Sequence, residues 1–209
     1  MTAEDRTAMV PGERWSRWCA NFTDRHGAVT SSVLDGTLRL EAADGSWAVV
    51  TAPFERPVAE PRADAMLALT EPPEDWGVLL VRKGGFALAR LAEARQTASK
   101  VGRRHVQGRT KAGGQSQQRF ARRRENQARD AYAAAADYAH RILVEGSPVD
   151  LLVTGGDRTA VAATLSDPRL RTLGTRVRGS FLDVPEPRRD DLDRAVAQAS
   201  SLVVRVHNA

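Results

Sequence analysis

The residues with the clearest capacity for chemistry are two adjacent glycines and a glutamine, Gly113, Gly114 and Gln115, which stand just before an arginine-rich segment. Glycine allows backbone angles that other residues avoid, and its missing side chain lets another molecule approach the main chain closely. Ser116 can cap the helix that is predicted to follow, and the start of a helix offers unpaired N–H groups and the positive end of its dipole. Such a loop suits a phosphate group or a developing oxyanion.

The side chains of this loop restrict the reactions that it could catalyse. The amide of Gln115 does not titrate near neutral pH, so it cannot act as a general base, and neither His nor Cys lies within the loop. The spacing differs from that of the phosphate-binding loop Gly-x-x-x-x-Gly-Lys-Ser/Thr and of the nucleophile elbow Gly-x-Ser-x-Gly. If the chain is an enzyme, its catalysis must depend on positioning a water molecule and stabilising charge.

Positive charge is concentrated around the same loop. Residues 100–129 contain ten basic residues and one acidic residue, a net charge of +9, whereas the whole chain of 209 residues carries +5. The rest of the chain is therefore mildly acidic. One cationic region on such a body favours a polyanion bound at a single place, with nucleic acid as the leading candidate. A solvated run of charge is the alternative interpretation.

Composition argues against several other kinds of site. Cys19 is the only cysteine, and the four histidines are scattered without the spacing of metal ligands. The N-terminus lacks the apolar core of a signal peptide, and no apolar run reaches the length of a membrane span. We therefore expect a cytoplasmic protein with no metal, no cofactor and no membrane partner.

The first 73 residues predict a small region of one helix and short strands. Apolar residues recur at helical spacing within 13–26, and Gly27 can end that helix. Strands are predicted near 28–34, 37–42 and 46–52, joined by hairpin turns at Asp35-Gly36 and Asp44-Gly45. A proline-rich connector with a short helix at 63–69 completes this region. We place a boundary near residue 73, which divides the chain into domains 1–73 and 74–209.

Residues 74–209 predict an α/β domain with helices packed on a mixed sheet. Two strands joined at Lys83-Gly84-Gly85 come first, and a strand at 98–106 precedes the basic loop. The elements predicted after the loop are a helix at 116–145, a buried strand at 149–156, a helix at 158–165, a strand at 176–184 and a closing amphipathic helix at 188–204.

The long helix carries an arginine on its apolar face. At 100° per residue, Arg124 falls on the stripe formed by Phe120, Ala128, Ala131, Ala135, Tyr138 and Ile142. Arginine is rarely buried without a partner. We therefore expect the first two turns to extend beyond the domain, so that the helix tip and the Gly-Gly loop form a protruding cationic finger.

The segment from Gly113 to Arg124, "GGQSQQRFARRR", closely resembles the Gly-Gly-Gln motif and following helix of the catalytic middle domain of eukaryotic and archaeal class I peptide-chain release factors. The resemblance continues into residues 149–170 and covers about residues 76–209. The Lys-Ala-Gly-Gly-Gln form is most similar to the bacterial, actinobacterial branch of the Vms-like release-factor family, which are ribosome-rescue peptidyl-tRNA hydrolases. The resemblance implies a release-factor-like, ribonuclease-H-like fold for residues 74–209.

The resemblance also implies a mechanism. The finger would enter the peptidyl-transferase centre of the ribosomal large subunit and meet the CCA end of a peptidyl-tRNA. Gln115 would orient the attacking water and direct its backbone N–H at the oxyanion, while Gly113 and Gly114 permit that backbone position. Phosphates of ribosomal RNA and tRNA would be bound by Arg109, Lys111, Ser116, Arg119, Arg122, Arg123 and Arg124. A finger that enters a narrow cavity favours a monomer.

Two other classes of function remain open at this point. A non-catalytic ribosome-binding or RNA-binding factor would keep the cationic finger and hydrolyse nothing. A metal-dependent nuclease would need clustered carboxylates, for which Asp150, Asp157 and Asp167 near strand ends are the candidates. We expect these three carboxylates to serve in turns and helix caps instead.

Overall fold

The computed structural model describes residues 5–103 and 115–209, and for residues 115–125 it describes the backbone alone. Contacts divide the chain into two units, Met1–Pro72 with Ala197–Ala209, and Pro73–Val196. The strands are β1 (Arg6–Val10), β2 (Val29–Leu34), β3 (Thr37–Ala42), β4 (Trp47–Thr51), β5 (Trp76–Arg82), β6 (Gly85–Ala92), β7 (Arg95–Arg103), β8 (Leu151–Gly156) and β9 (Leu202–His207). The α-helices are α1 (Gly12–His26), α2 (Gln115–Ala139), α3 (Arg158–Leu165), α4 (Arg171–Gly174) and α5 (Arg189–Ala199).

The first unit is an antiparallel sheet of five strands in the order β1-β9-β4-β3-β2, together with α1. Alternate residues of β3, β4 and β9 are buried, so one face of the sheet forms a core with α1. The turn between β2 and β3 has positive φ at both Asp35 (48°) and Gly36 (70°), which is the twist that a two-residue hairpin requires. The predicted hairpin at this position is therefore confirmed.

Helix α1 follows its sequence prediction closely. Trp15 is buried, its indole N–H donates to the carbonyl of Ala63 at 2.6 Å, and its ring stacks on Trp18 with centroids 5.2 Å apart. The helix ends at Gly27, whose φ of 87° lies in the left-handed region. The tryptophans thus belong to the core of the first unit. The short helix predicted at 63–69 is present as two 3₁₀ turns, Asp64–Met66 and Ala68–Thr70.

The second unit confirms the predicted mixed α/β architecture. Its sheet has the order β7-β6-β5-β8, with β5 and β8 parallel and the other neighbours antiparallel. Helix α2 continues through a π-helical turn, His140–Val144, and the chain then turns at Gly146, where φ is 82°. The predicted helix at 116–145 is therefore one continuous element, and its alanine-rich second half packs into the core with β5, β6 and α3.

Two predictions for the C-terminal part of the chain were wrong. The strand predicted at 176–184 is reduced to two isolated bridges, Leu152 with Val177 and Gly155 with Leu182, because the chain bends at Gly179, where φ is 83°. The helix predicted at 188–204 ends at Ala199, and β9 follows it.

The assignment of the last residues also changes. The sequence prediction placed all of 74–209 in one domain, whereas Ala197–Ala209 belongs to the first unit. The reason is that β9 pairs with β1 on one side and with β4 on the other, burying Leu202 and Val204 in the core of that sheet. Among the described helices, none combines the length and apolarity needed to cross a membrane.

Candidate functional site

The residues that the sequence singled out for chemistry lie around the start of α2. Gly113 and Gly114, and with them Arg109 and Lys111, lie outside the described residues. Gln115 is the first residue of α2, and its backbone alone is described. The roles predicted for these residues therefore stay predictions.

The remaining predicted RNA-binding residues lie in the first three turns of α2, with the backbone described and the side chains not. They are Ser116, Arg119, Arg122, Arg123 and Arg124. Because Gln115 is already helical, Ser116 lies within α2 and not at a capping position before it. The predicted cap at Ser116 is corrected accordingly.

The second half of α2 fixes the helix to the sheet. Ala128, Ala131, Ala135 and Ala139 are all buried, and Tyr138 and Ile142 are half-buried. This confirms the predicted stripe from Ala128 onward, while the side chains of its other two members, Phe120 and Arg124, are not described. Alanine at each contact lets the helix axis approach the sheet closely.

Gln115 precedes the anchored part of α2 by a considerable distance. Thirteen helical steps separate it from Ala128, the first buried side chain that the structure describes in this helix, which corresponds to about 20 Å along the axis. The side-chain ring of Tyr138 contacts two cations, the Lys100 ammonium at 4.7 Å from the ring centroid and the Arg141 guanidinium at 4.8 Å. The anchored half of the helix can therefore act as a fixed base for the end that carries Gln115.

The structure adds two cations that sequence reasoning missed. The Lys83-Gly84-Gly85 segment does form the predicted hairpin turn, and Gly85 pairs with Arg103 at the end of β7. This register brings Lys83 and Arg103 to the lining of one pocket. The alternation of side chains in β7, together with the position of the hairpin turn, was the signal from which the proximity of Lys83 and Arg103 could have been predicted.

The candidate nuclease carboxylates have structural roles. A carboxylate oxygen of Asp157 accepts a hydrogen bond from the Ala160 N–H at 2.9 Å and caps α3. Arg169 donates to the carboxylate of Asp167 at 2.7 Å and holds the pKa of that group at about 2. Asp150 lies 3.6 Å from the guanidinium of Arg176. The described residues contain no group of three or more His, Cys, Asp or Glu side chains able to bind a metal ion.

The other residues considered as candidate sites in the sequence analysis also have structural roles. His26 is buried and contacts a carboxylate oxygen of Asp44 at 2.8 Å, and the backbone N–H of Ser46 together with His26 lowers the pKa of Asp44. Burial raises the pKa of the Cys19 thiol to about 11, so this cysteine is a poor nucleophile at neutral pH. Gly155 and Gly156 end β8 close to neighbouring backbone. A Cβ at Gly155 would come within 2.6 Å of the Leu182 oxygen, and a Cβ at Gly156 would come within 2.5 Å of the Val81 oxygen.

Comparison with known proteins gives one family and several solved structures. Residues 74–205 match the family model described as "Actinobacteria/chloroflexi VLRF1 release factor". Among curated proteins no match was found.

Three similar solved structures have low sequence identity to this chain. An archaeal translation termination factor, aRF1, is 13% identical with a TM-score of 0.44, over 93% of this chain and 66% of its own. The Vms1 mitochondrial localization core is 11% identical with a TM-score of 0.40, over 80% of this chain and 75% of its own. Pelota of Archaeoglobus fulgidus is 9% identical with a TM-score of 0.32, over 94% of this chain and 63% of its own. The chain thus spans about two thirds of the length of the archaeal factor.

Proposed function

Because the chain belongs to the Actinobacteria/chloroflexi VLRF1 release factor family, we propose that it is a peptidyl-tRNA hydrolase that rescues stalled ribosomal large subunits by releasing their nascent chains. The observation that carries this proposal is the family match over residues 74–205, a range that contains Gly113-Gly114-Gln115 and the whole of α2. The protein acts in the cytoplasm as a monomer and needs no cofactor of its own.

The proposed reaction is hydrolysis of the ester that joins the peptide to the terminal ribose of the tRNA. The oxygen of a water molecule attacks the carbonyl carbon, the bond from that carbon to the ribose oxygen breaks, and a proton passes to the ribose oxygen. Gln115 orients the water and directs its backbone N–H at the oxyanion, where a preorganised donor stabilises the developing charge. Gly113 and Gly114 allow the backbone to reach this position. Ribosomal RNA surrounds the reacting groups.

The position of Gln115 on α2 supports this mechanism. The glutamine begins a helix whose second half is packed on the sheet, about 20 Å further along the axis. A catalytic group on a rigid element is held more accurately than one on an unsupported loop. The helix therefore carries the Gly-Gly-Gln loop into the CCA end of peptidyl-tRNA, and the basic residues Arg109, Lys111, Arg119 and Arg122–Arg124 contact phosphates of the surrounding RNA.

The test is peptide release from purified large subunits that carry a labelled peptidyl-tRNA. We expect Gln115→Ala to lower the single-turnover rate of release about 100-fold, because the side-chain amide that positions the attacking water is lost while the backbone N–H remains. Cosedimentation with the subunits should stay nearly unchanged, because the substitution leaves every basic residue in place. The matched control is Gln118→Ala, which removes the same amide three residues later in the same helix.

Two outcomes would contradict this mechanism. Undiminished release by the Gln115 variant would remove the glutamine from the reaction. Subunit binding without any release, by the wild-type protein as well, would favour the second candidate, a non-catalytic ribosome-binding factor, which the net charge of +9 over residues 100–129 also permits.

A further inference from the structure

A pocket of about 680 Å³ opens to solvent in the second unit, beside the end of β7. It lies where the turn between β5 and β6, the end of β8 and the segment 185–188 meet. Four of its lining residues are cationic, namely Arg82, Lys83, Arg103 and Arg188, whereas two are acidic, Asp157 and Glu186. The pocket therefore carries excess positive charge.

Two of these cations are used to build the pocket. The guanidinium of Arg82 donates to the carbonyl oxygens of Val184 and Pro185, both at 2.9 Å, and so holds the proline-rich wall in place. Arg188 forms an ion pair with Glu186 in the same wall. The carboxylate of Asp157 is occupied as the cap of α3. Arg82 and Arg188 thus have partners within the wall of the pocket.

The other two cations are available to a ligand. Lys83 and Arg103 are both exposed, and neither has an ion pair or a hydrogen bond from its side chain within the part of the chain that the structure describes. Lys83 lies in the turn between β5 and β6, and Arg103 ends β7, where it pairs with Gly85, the first residue after that turn. The pocket therefore presents two exposed cations to solvent.

The backbone next to two lining residues of the pocket, Arg82 and Asp157, has a fixed geometry. It lies at the carboxyl ends of the parallel strands β5 and β8, which is where open α/β sheets usually bind their ligands. The N–H of Asp157 donates to the carbonyl of Val81 at 2.8 Å, and this close approach needs glycine at 156, where φ is 98°. The ends of β5 and β8 are thereby held together beside the pocket.

We propose that this pocket binds the phosphate backbone of RNA, as a second contact in addition to the Gly-Gly-Gln loop. An open pocket with exposed cations suits phosphates along a strand, whereas small-molecule sites are more enclosed and mainly apolar. Arg103 is also part of the basic region of residues 100–129, so the pocket shares one of its cations with that region of the sequence. The inference rests on the proposed function only in taking this RNA to be ribosomal RNA or tRNA.

The test compares two double charge reversals in the full-length chain. Lys83→Glu with Arg103→Glu changes the pocket, and Arg95→Glu with Arg171→Glu makes the same change in charge at exposed sites away from it. The probe is a fluorescent RNA hairpin with a stem of about 16 base pairs, a span that double-stranded RNA-binding domains recognise by shape. Its dissociation constant is measured by fluorescence anisotropy at several salt concentrations.

We expect the pocket variant to bind the hairpin at least about 10-fold more weakly than the wild type. The slope of log affinity against log salt should fall by about two, since each lost phosphate contact removes close to one unit. The control variant should change affinity by less than about 3-fold. A neutral variant, Lys83→Ala with Arg103→Ala, and the melting temperature of each protein separate loss of binding from loss of folding.

Three results would overturn the inference. The first is a pocket variant that binds the hairpin with wild-type affinity, and the second is an equal loss of hairpin affinity in both double variants. The third is binding of inorganic pyrophosphate, measured by calorimetry, that requires Lys83 and Arg103 while hairpin binding does not. Because the assay measures binding and not release, its outcome is independent of the Gln115 experiment. Loss of hairpin binding in the pocket variant would stand even if the wild-type protein released no peptide.

Discussion

At the scale of the residue, the same carboxylates could be read as catalytic groups or as parts of the framework. Asp157 stands at the end of β8, the position where a nuclease would hold a metal ligand, yet its oxygen is committed to the N–H of Ala160. Asp167 likewise accepts a hydrogen bond from a backbone N–H, that of Arg169, at the start of a 3₁₀ turn. A carboxylate that already satisfies a helix terminus stabilises the fold, and it gives up that contribution if it turns toward a metal.

The role of Asp157 as a helix cap predicts a specific loss of stability. We expect Asp157→Ala to lower the free energy of unfolding by about 1 kcal/mol, because the N–H of Ala160 loses its acceptor. Asp157→Ser should recover most of this loss, since serine also caps helices. Urea denaturation followed by circular dichroism measures both. Equal stability of the alanine and serine variants would contradict the capping role, and Asp183→Ala, at an exposed aspartate of the same unit, serves as the control.

At the scale of the element, α2 has two halves of different composition. Its second half is rich in alanine and packs on the sheet, whereas its first three turns carry the arginines and Gln115. Because the buried residues at the helix–sheet contact are alanines, the helix axis lies close to the sheet, and this packing sets its position. The position of Gln115 therefore depends on packing that lies about 20 Å away from it along the helix axis.

This dependence predicts the effect of enlarging one contact. Ala135 has no exposed surface, so Ala135→Leu must push the helix from the sheet or strain its neighbours, and we expect a loss of 1–3 kcal/mol, as is typical of overpacking. Ala133→Leu makes the same substitution on the exposed side of the helix and should change stability by less than about 0.5 kcal/mol. The midpoint of urea denaturation gives the comparison. Similar midpoints for the two variants would contradict close packing at Ala135.

At the scale of the whole molecule, the chain returns to its first unit after completing the second. Strand β9 lies between β1 and β4, so the sheet of the first unit depends on residues from both ends of the sequence. Without β9, the strand β1 loses its partner and β4 becomes an edge. The C-terminus is therefore structural for a unit that begins near the N-terminus.

A truncated chain tests whether the first unit depends on β9. We expect a chain that ends at Ser201 to lose the fold of the first unit, because Leu202 and Val204 leave the core. Cys19, the only cysteine, reports the loss: its thiol is partly buried with a pKa raised to about 11, so it should react slowly with a disulfide reagent at pH 8 in the full chain. In the truncated chain its rate should approach that of the protein in urea. A chain ending at His207 is the control, and slow reaction in both would contradict the prediction.

Local patterns in the sequence were sufficient for most elements. Helix α1, the hairpin at Asp35-Gly36, the buried strand β8 and the long helix α2 all follow from periodicity and from glycines at positions of positive φ. These signals are local because each depends on neighbours within a few residues. The role of the candidate loop at Gly113–Gln115 stays a prediction from sequence.

The secondary structure of residues 188–209 and the composition of the cationic pocket could be determined only from the tertiary structure. The apolar residues Leu192, Ala195, Val196, Ala199 and Leu202 fit one helical stripe, but the chain leaves the helix at Ala199 because an open strand position between β1 and β4 pairs with 202–207. Lys83 and Arg103 are twenty residues apart and meet only through the register of β6 and β7. Both outcomes depend on hydrogen bonds between distant segments, which the pattern of a single segment does not contain.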